Sequence, residues 1–345
     1  MSGKGPLGIA FIGLGWWGEV LAEAALASKE IRVTGGFART PASREAFVRK
    51  FGGRDFSSLD DLLKDKDTEA VVIASANSVH REQAVAAARA GKHVHLEKPM
   101  ALSVSDAKAI DAACKEAGIR LHMGQNFRRW PMFRKAKEVV GSGTLGTVSL
   151  IVASFSNNHG LTAGPQSMRW DPVENPGGPL YSYTIHLGDT LEYLFGEVAE
   201  VSAGTAKVGG PNRTEDAAAA VFRFRSGVMA AVSGSYVAPF NFLFDIHGTE
   251  ANLSLSTAFM PRLQRSVGKM GGIETETLDV GCDFVEGRNR ANREQFVDFA
   301  RSIREGKDPE VTGVHGIRAL SIMRAILKSH AERRAVSVDE ILERD

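Results

Sequence analysis

Apolar residues in the first 125 positions come in short unbroken runs separated by helical periodicities. LGIAFIG (7–13), IRVTGGFA (31–38), EAVVIAS (69–75), HVHLE (93–97) and RLHMG (120–124) show little alternation, the pattern of strands covered on both faces. Between them, WGEVLAEAALAS (17–28), PASREAFVRKFG (41–52), VHREQAVAAARAG (79–91) and SVSDAKAIDAACKEAG (103–118) space their apolar residues as amphipathic helices. Proline opens the second of these, and glycine closes the last three. Strands alternating with helices predict a parallel sheet with helices on both faces.

After Pro131 the rhythm changes. MFRKAKEVVGSG predicts one helix leading into GTVSLIVASFS (146–156), and from about 197 to 280 the runs alternate apolar with polar. FRSGV and HGTEA sit where hairpin turns belong, and two helices near 290–305 and 313–332 finish the chain. The class expected is α/β: a doubly wound parallel sheet over 1–126, then an α+β domain over 127–345 with a large, mostly antiparallel, open-faced sheet. The final helix could pack back on the first domain.

Composition narrows the partners. The chain has 345 residues, 43% apolar and 24% charged, enough for two cored domains. With 42 basic and 41 acidic residues its net charge is +1, which gives no reason to expect nucleic acid or an anionic membrane as partner. Cys114 and Cys282 lie far apart without metal-ligand spacing, so neither a disulfide scaffold nor a structural zinc site is expected. No signal-peptide h-region and no bilayer-length apolar run stands out, and a soluble, cytoplasmic protein is the expectation.

The chemistry starts at the first strand–helix junction, where IAFIGLGWWGEV holds Gly13-x-Gly15-x-x-Gly18. Gly13 allows a tight turn, Gly15 lets a pyrophosphate approach the backbone, and Gly18 lets helix and strand pack closely. Leu14, Trp16 and Trp17 complete the loop, whose helix N-terminus offers its N–H groups to phosphates. At the end of the second strand, an acid would bind the ribose diol of NAD. The chain instead has Ala38, Arg39 and Thr40 there, which favours NADP over NAD.

The fingerprint, the tripeptide Glu97-Lys98-Pro99 about eighty residues on, and the open-faced sheet region together resemble the Gfo/Idh/MocA oxidoreductase family over essentially the whole chain. The resemblance implies an N-terminal Rossmann domain in which Lys98 reaches the nicotinamide side and polarises the reacting oxygen. Glu97 would help to hold the cofactor and Pro99 would fix the turn. It also implies cofactor contacts from Ser75, Asn77 and His80 in ASANSVHREQA, where Ala76 replaces a usual proline, and from Gln125 and Asn126 in GQNFRRWP, with Arg128 facing substrate.

In ENPGGPLYSYTIHLGD, Gly177 and Gly178 match the family's glycine pair and His186 its catalytic position, with Asp189 one helical turn on. Alcohol oxidation needs a hydride acceptor, a base for the hydroxyl proton and positive charge near the oxyanion, so an imidazole and an ammonium suit it. Ser182 stands where many members carry aspartate. It can bind a hydroxyl but cannot act as a carboxylate base, so either Lys98 and His186 suffice or Asp189, Tyr181 or Tyr183 takes up part of that role. The loop SNNHGLTAGPQSMRWDP (156–172) offers Asn157, Asn158, His159, Arg169 and Trp170 to a substrate, with Trp170 as a sugar-stacking face.

The function expected is an NAD(P)-dependent dehydrogenase acting, without a metal, on a CH–OH group of a sugar, polyol or cyclic diol. It would assemble as a homodimer or homotetramer through the open sheet face. Two other readings share the scaffold. One is an enzyme with tightly held cofactor that runs an internal oxidation–reduction cycle for glycoside cleavage or sugar–sugar hydride transfer. The other is a cofactor sensor without catalysis.

Overall fold

The computed structural model of the protein describes residues 5–164, 167, 170–210, 213–256, 260–267 and 271–345. The chain divides into two units, Met1–Asn126 with Asn289–Ile317, and Phe127–Arg288 with Arg318–Asp345.

In the first unit the unbroken apolar runs become strands β1 (Leu7–Ile12), β2 (Ile31–Phe37), β4 (Ala70–Ile73), β5 (His93–Leu96) and β6 (Leu121–Met123). The intervening helices are α1 (Trp16–Ala27), α2 (Pro41–Phe51), α4 (His80–Arg89) and α5 (Val104–Glu116). Two elements too short to carry a period were not legible in the sequence, β3 (Arg54–Asp55) and α3 (Leu59–Lys64). The six strands pair in parallel in the order β3-β2-β1-β4-β5-β6. Strand order reverses at β1, and a ligand crevice belongs outside the C-terminal ends of β1 and β4.

Residues 289–317, grouped by the sequence with the second domain, pack in the first unit. Phe296, Phe299 and Ala300 are fully buried in one cluster with Leu7, Ile9, Phe11 and Leu21. Burying each phenylalanine contributes about 1.5–3 kcal/mol, which is why this segment belongs here. The same two rings flank His95 and His122, which face each other in register on β5 and β6 and stack at 4.8 Å.

The second unit is built on nine strands in the order β14-β13-β12-β11-β7-β10-β9-β8-β15. They are β7 (Val148–Ser156), β8 (Val198–Ala206), β9 (Ala217–Phe224), β10 (Met229–Ser235), β11 (Asn241–Gly248), β12 (Asn252–Ser256), β13 (Arg262–Val267), β14 (Gly272–Thr277) and β15 (Val336–Ser337). All neighbours are antiparallel except β7 and β10. Alternation is clean in β9, where Ala218, Ala220, Phe222 and Phe224 are buried while Val221 is 41% exposed. Helices α6 (Pro131–Gly141), α7 (His159–Thr162) and α8 (Ile185–Phe195) belong to this unit.

A further helix, Val338–Arg344, follows β15 in the second unit and was not foreseen. Among the described residues no helix is long and apolar enough to cross a membrane, and no group of three His, Cys, Asp or Glu could hold a metal ion. Both cysteines are free thiols.

Candidate active site

The glycine loop has the geometry its spacing demands. Gly13 has φ +91°, and a Cβ there would stand 2.5 Å from the Ser75 nitrogen. A Cβ on Gly18 would meet the Gly13 carbonyl oxygen at 2.2 Å, so both positions are closed to side chains. Gly15 differs: no atom lies within 4 Å of where its Cβ would be, which leaves open space beside the backbone at the start of α1. The first intrahelical bond runs from the Glu19 N–H to the Gly15 carbonyl, so the N–H groups of Trp16, Trp17 and Gly18 precede the ladder. Exposed Trp16 and half-buried Trp17 flank the loop with ring centroids 5.5 Å apart, and Leu14 is buried beneath it.

At the end of β2, Arg39 and Thr40 are exposed. A carboxylate that sequence proximity did not reveal is near in space: Asp55 pairs in register with Gly36. It is engaged by the Arg44 guanidinium at 2.5 Å, and Arg44 also donates to the Ala38 carbonyl. At the end of β4, Ser75 donates to Gln83 at 2.6 Å, and Asn77 opens a single 3-10 turn before α4. His80 is buried, its Nδ1 3.0 Å from the Pro99 carbonyl oxygen, so it braces the turn that follows β5.

That turn holds Lys98. Glu97 before it and Met100 and Ala101 after it are buried, the Lys98–Pro99 peptide is cis, and Ser103 caps α5 by accepting the Asp106 N–H at 3.1 Å. Lys98 itself is half-buried, just past the C-terminal end of the interior strand β5. The Glu97 carboxylate lies over Gly124, where a Cβ would be 2.5 Å from its Oε1, and the buried His95 reaches within 3.9 Å of the same oxygen. Gly124 was not singled out in the sequence, although only a glycine leaves room for that carboxylate.

Next to it, Gln125 is 1% exposed and neither amide atom has a hydrogen-bond partner. Asn126 donates to Asn292 at 2.7 Å while its Oδ1 has no partner. Buried amides without partners are costly, and a polar ligand that supplies them relieves the cost. The open space at Gly15 and these orphaned amides fit a dinucleotide.

In the second unit, Leu180–Thr184 forms a π-helical turn that leads into α8. Such turns are rare and recur at functional sites, and nothing in the local sequence signals one. His186, buried, stacks on Phe127 at 4.1 Å with the rings 10° apart. Ser182 is half-buried with its hydroxyl 3.5 Å from Asn175 Oδ1. Tyr181 is buried, and burial pushes its phenol up to about 12 against the opposing Arg324 charge. Tyr183 is half-buried, with its hydroxyl 2.6 Å from His159 Nδ1.

Arg128 and Asp189 find each other. Arg128 Nε donates to Asp189 Oδ2 at 2.9 Å and its Nη2 to Oδ1, in a buried bidentate pair with the guanidinium 5.3 Å from the Tyr193 ring. The arginine expected to face substrate and the aspartate expected to exchange protons thus neutralise one another. Trp170, expected as an open stacking face, is buried edge-on to Tyr236 at 5.6 Å. Asn157 is buried and accepts the His159 N–H, Asn158 is exposed, and Arg169 lies outside the described residues.

Comparison with known proteins agrees with this architecture. Residues 7–125 match the oxidoreductase family with an NAD-binding Rossmann fold, and residues 133–254 match the Gfo/Idh/MocA C-terminal domain. The chain is 30% identical over 325 residues to the 1,5-anhydro-D-fructose reductase of Ensifer adhaerens, covering 90% of this chain and 93% of that one. It is 28% identical over 293 residues to the myo-inositol 2-dehydrogenase of Thermotoga maritima, with 82% and 83% covered. A crystal structure from Desulfitobacterium hafniense, of a protein provisionally described as an NADPH-dependent oxidoreductase, superposes with a TM-score of 0.92 at 29% identity over 98% of this chain and 99% of that one. The protein is therefore an oxidoreductase of the Gfo/Idh/MocA family, built on an NAD-binding Rossmann unit.

Proposed function

We propose that the protein is an NAD(P)-dependent dehydrogenase that moves hydride between the nicotinamide and a secondary hydroxyl or ketone of a sugar, polyol or cyclic diol. The observation that carries this reading is the turn after β5. A half-buried lysine stands there between a buried glutamate and a buried proline, and the glutamate lies over Gly124, whose chain neighbour Gln125 has a buried amide with no protein partner. It stands at the sheet edge where open α/β folds take ligands. The polyhydroxylated substrate class follows the relatives named as acting on anhydrofructose and inositol.

When bound, the nicotinamide accepts or donates the hydride. Lys98 supplies positive charge to the substrate oxygen as negative charge develops there. His186 takes the hydroxyl proton during oxidation and returns it during reduction, its ring fixed by Phe127. Asp189 acts through Arg128, holding α8 and therefore His186 in position. Ser182 and Asn175 offer hydrogen bonds to a substrate hydroxyl.

NADP is the cofactor we assign, because Arg39 is exposed at the end of β2 and the nearby Asp55 is held by Arg44. Arg39→Ala should raise the KM for NADP by about tenfold or more, the scale of a lost charged hydrogen bond, and leave that for NAD nearly unchanged. Equal KM changes for the two cofactors would remove the assignment.

The activity is tested by following nicotinamide absorbance with NAD and NADP in parallel. The panel includes myo-inositol and 1,5-anhydro-D-fructose, each with the appropriate redox form of the cofactor. Turnover supports the dehydrogenase reading. A wild type that binds cofactor yet is silent across the panel would favour a closed redox cycle or a sensor.

The exposed sheet face of the second unit carries Val152, Ala231 and Val221 in register, with Leu150 38% exposed. A second copy covering this face would give a homodimer or homotetramer. Light scattering that finds a monomer at working concentration would overturn this assembly.

A further inference from the structure

His95 is fully buried, yet among the described residues neither of its ring nitrogens has a hydrogen-bond partner. An imidazole carries at least one N–H, and burying that donor unmet costs free energy. The ring is held on several sides. It stacks on His122 with centroids 4.8 Å and planes 19° apart, and the rings of Phe296 and Phe299 lie 5.0 and 5.9 Å from it. All four side chains belong to the first unit, with His95 and His122 in register on β5 and β6.

A carboxylate oxygen faces it. His95 Nε2 is 3.9 Å from Glu97 Oε1. Glu97 is buried as well, and that oxygen also has no hydrogen-bond partner, while its Oε2 accepts the Lys98 backbone N–H at 3.3 Å. His122 does not compete for this carboxylate, because its Nε2 faces Asp298 Oδ2 at 3.5 Å. Gly124 leaves the carboxylate its room, since a Cβ there would stand 2.5 Å from Oε1. Glu97 therefore lies between a glycine that makes space for it and an imidazole that has a proton to give.

We infer that His95 is a positioning residue for the Lys98 turn: as the neutral Nε2–H tautomer it aims its proton at Glu97 Oε1, and Glu97 in turn holds the Lys98 backbone through Oε2. Its effect on rate rests on the dehydrogenase reading above, whereas the tautomer does not. Which nitrogen of a neutral histidine keeps the proton is set by the partner that it meets. Nδ1 meets none, and Nε2 has a carboxylate oxygen in view. Closing that gap by about 1 Å makes a hydrogen bond, and burial away from water strengthens it. The imidazole is sealed from solvent, so it acts through Glu97 and the turn rather than on the reacting atoms.

The test uses the full-length protein with whichever of myo-inositol and 1,5-anhydro-D-fructose it turns over. His95→Phe keeps an aromatic ring in the stack and removes the donor. His95→Gln gives up the ring but can place an amide N–H where Nε2 stands. His95→Phe should lower kcat by about tenfold or more, the scale of one lost hydrogen bond to a charged group, with its melting temperature little changed. His95→Gln should keep more of the wild-type kcat than His95→Phe while melting lower. The reverse order of activities is what a packing role gives, and it would overturn the inference. In a Glu97→Ala background His95→Phe should lower kcat no further, and an undiminished loss there would show that His95 acts by another route. Nitrogen-15 imidazole spectra of the wild type read the tautomer directly, however well the variants fold. A proton on Nε2 is the result expected, and one on Nδ1 alone would overturn the assignment. A wild type silent on both substrates would instead overturn the dehydrogenase reading, and the tautomer would still decide whether His95 is aimed at Glu97.

Discussion

Lys98→Ala should lower kcat by about 10²–10⁴-fold while dinucleotide still binds through the glycine loop. The lysine is not an ordinary surface cation. Its backbone N–H donates to Glu97 Oε2 at 3.3 Å, its neighbours Glu97, Pro99 and Met100 are buried, and His80 braces the Pro99 carbonyl. Those restraints hold the turn, and in the proposed reaction the Lys98 ammonium it carries would favour a developing negative oxygen over the neutral ground state. Steady-state nicotinamide absorbance gives kcat, and quenching of Trp16 and Trp17 fluorescence reports cofactor binding beside the loop. A kcat within a few-fold of wild type would remove Lys98 from the chemistry. Loss of cofactor binding with kcat retained at saturation would make it a cofactor ligand instead.

The second large effect concerns stability. Asp189→Ala leaves the buried Arg128 guanidinium without its carboxylate, and breaking such a pair costs about 3–5 kcal/mol. Urea denaturation should show a correspondingly lower midpoint. The double variant Arg128→Met with Asp189→Leu removes both charges at similar volume and should recover most of the loss. Its activity then separates two roles. A double variant that is stable and active makes the pair a buttress of α8, whereas one that is stable but inactive returns Asp189 or Arg128 to the reaction.

Local features were legible before the fold was known. The glycine fingerprint is a spacing within one strand–turn–helix, and a Cβ on Gly18 would meet Gly13 itself, although one on Gly13 would meet Ala74 and Ser75 just past β4. The unbroken strands and the alternation of β9 follow from burial on two faces or one. What escaped depends on partners distant in the chain. Arg128 and Asp189 lie 61 residues apart, and no pattern in either segment announces that they pair. Gly124 clears space for Glu97 across neighbouring strands, which a one-dimensional reading cannot see. The π-helical turn is a backbone register set by packing, since YSYT has no capping or breaking signal. The helix Phe284–Glu305 was foreseen from about residue 290, but its periodicity shows an apolar stripe without showing which sheet the stripe covers.

That returning segment sets an order of events during synthesis. The cluster around Ile9, Phe11 and Leu21 is completed by Phe296, Phe299 and Ala300, which the ribosome makes only after the whole stretch from 127 to 288. At roughly 5–20 residues per second, residues 127 to 317 take about 10–40 s to emerge, long compared with domain folding times. Throughout that interval the N-terminal sheet holds its aromatic face uncovered, a substrate for chaperones or for a neighbouring nascent chain. A fragment that stops at Asn126 inherits the same exposed face permanently. The part of this protein that is made first is among the last to be finished.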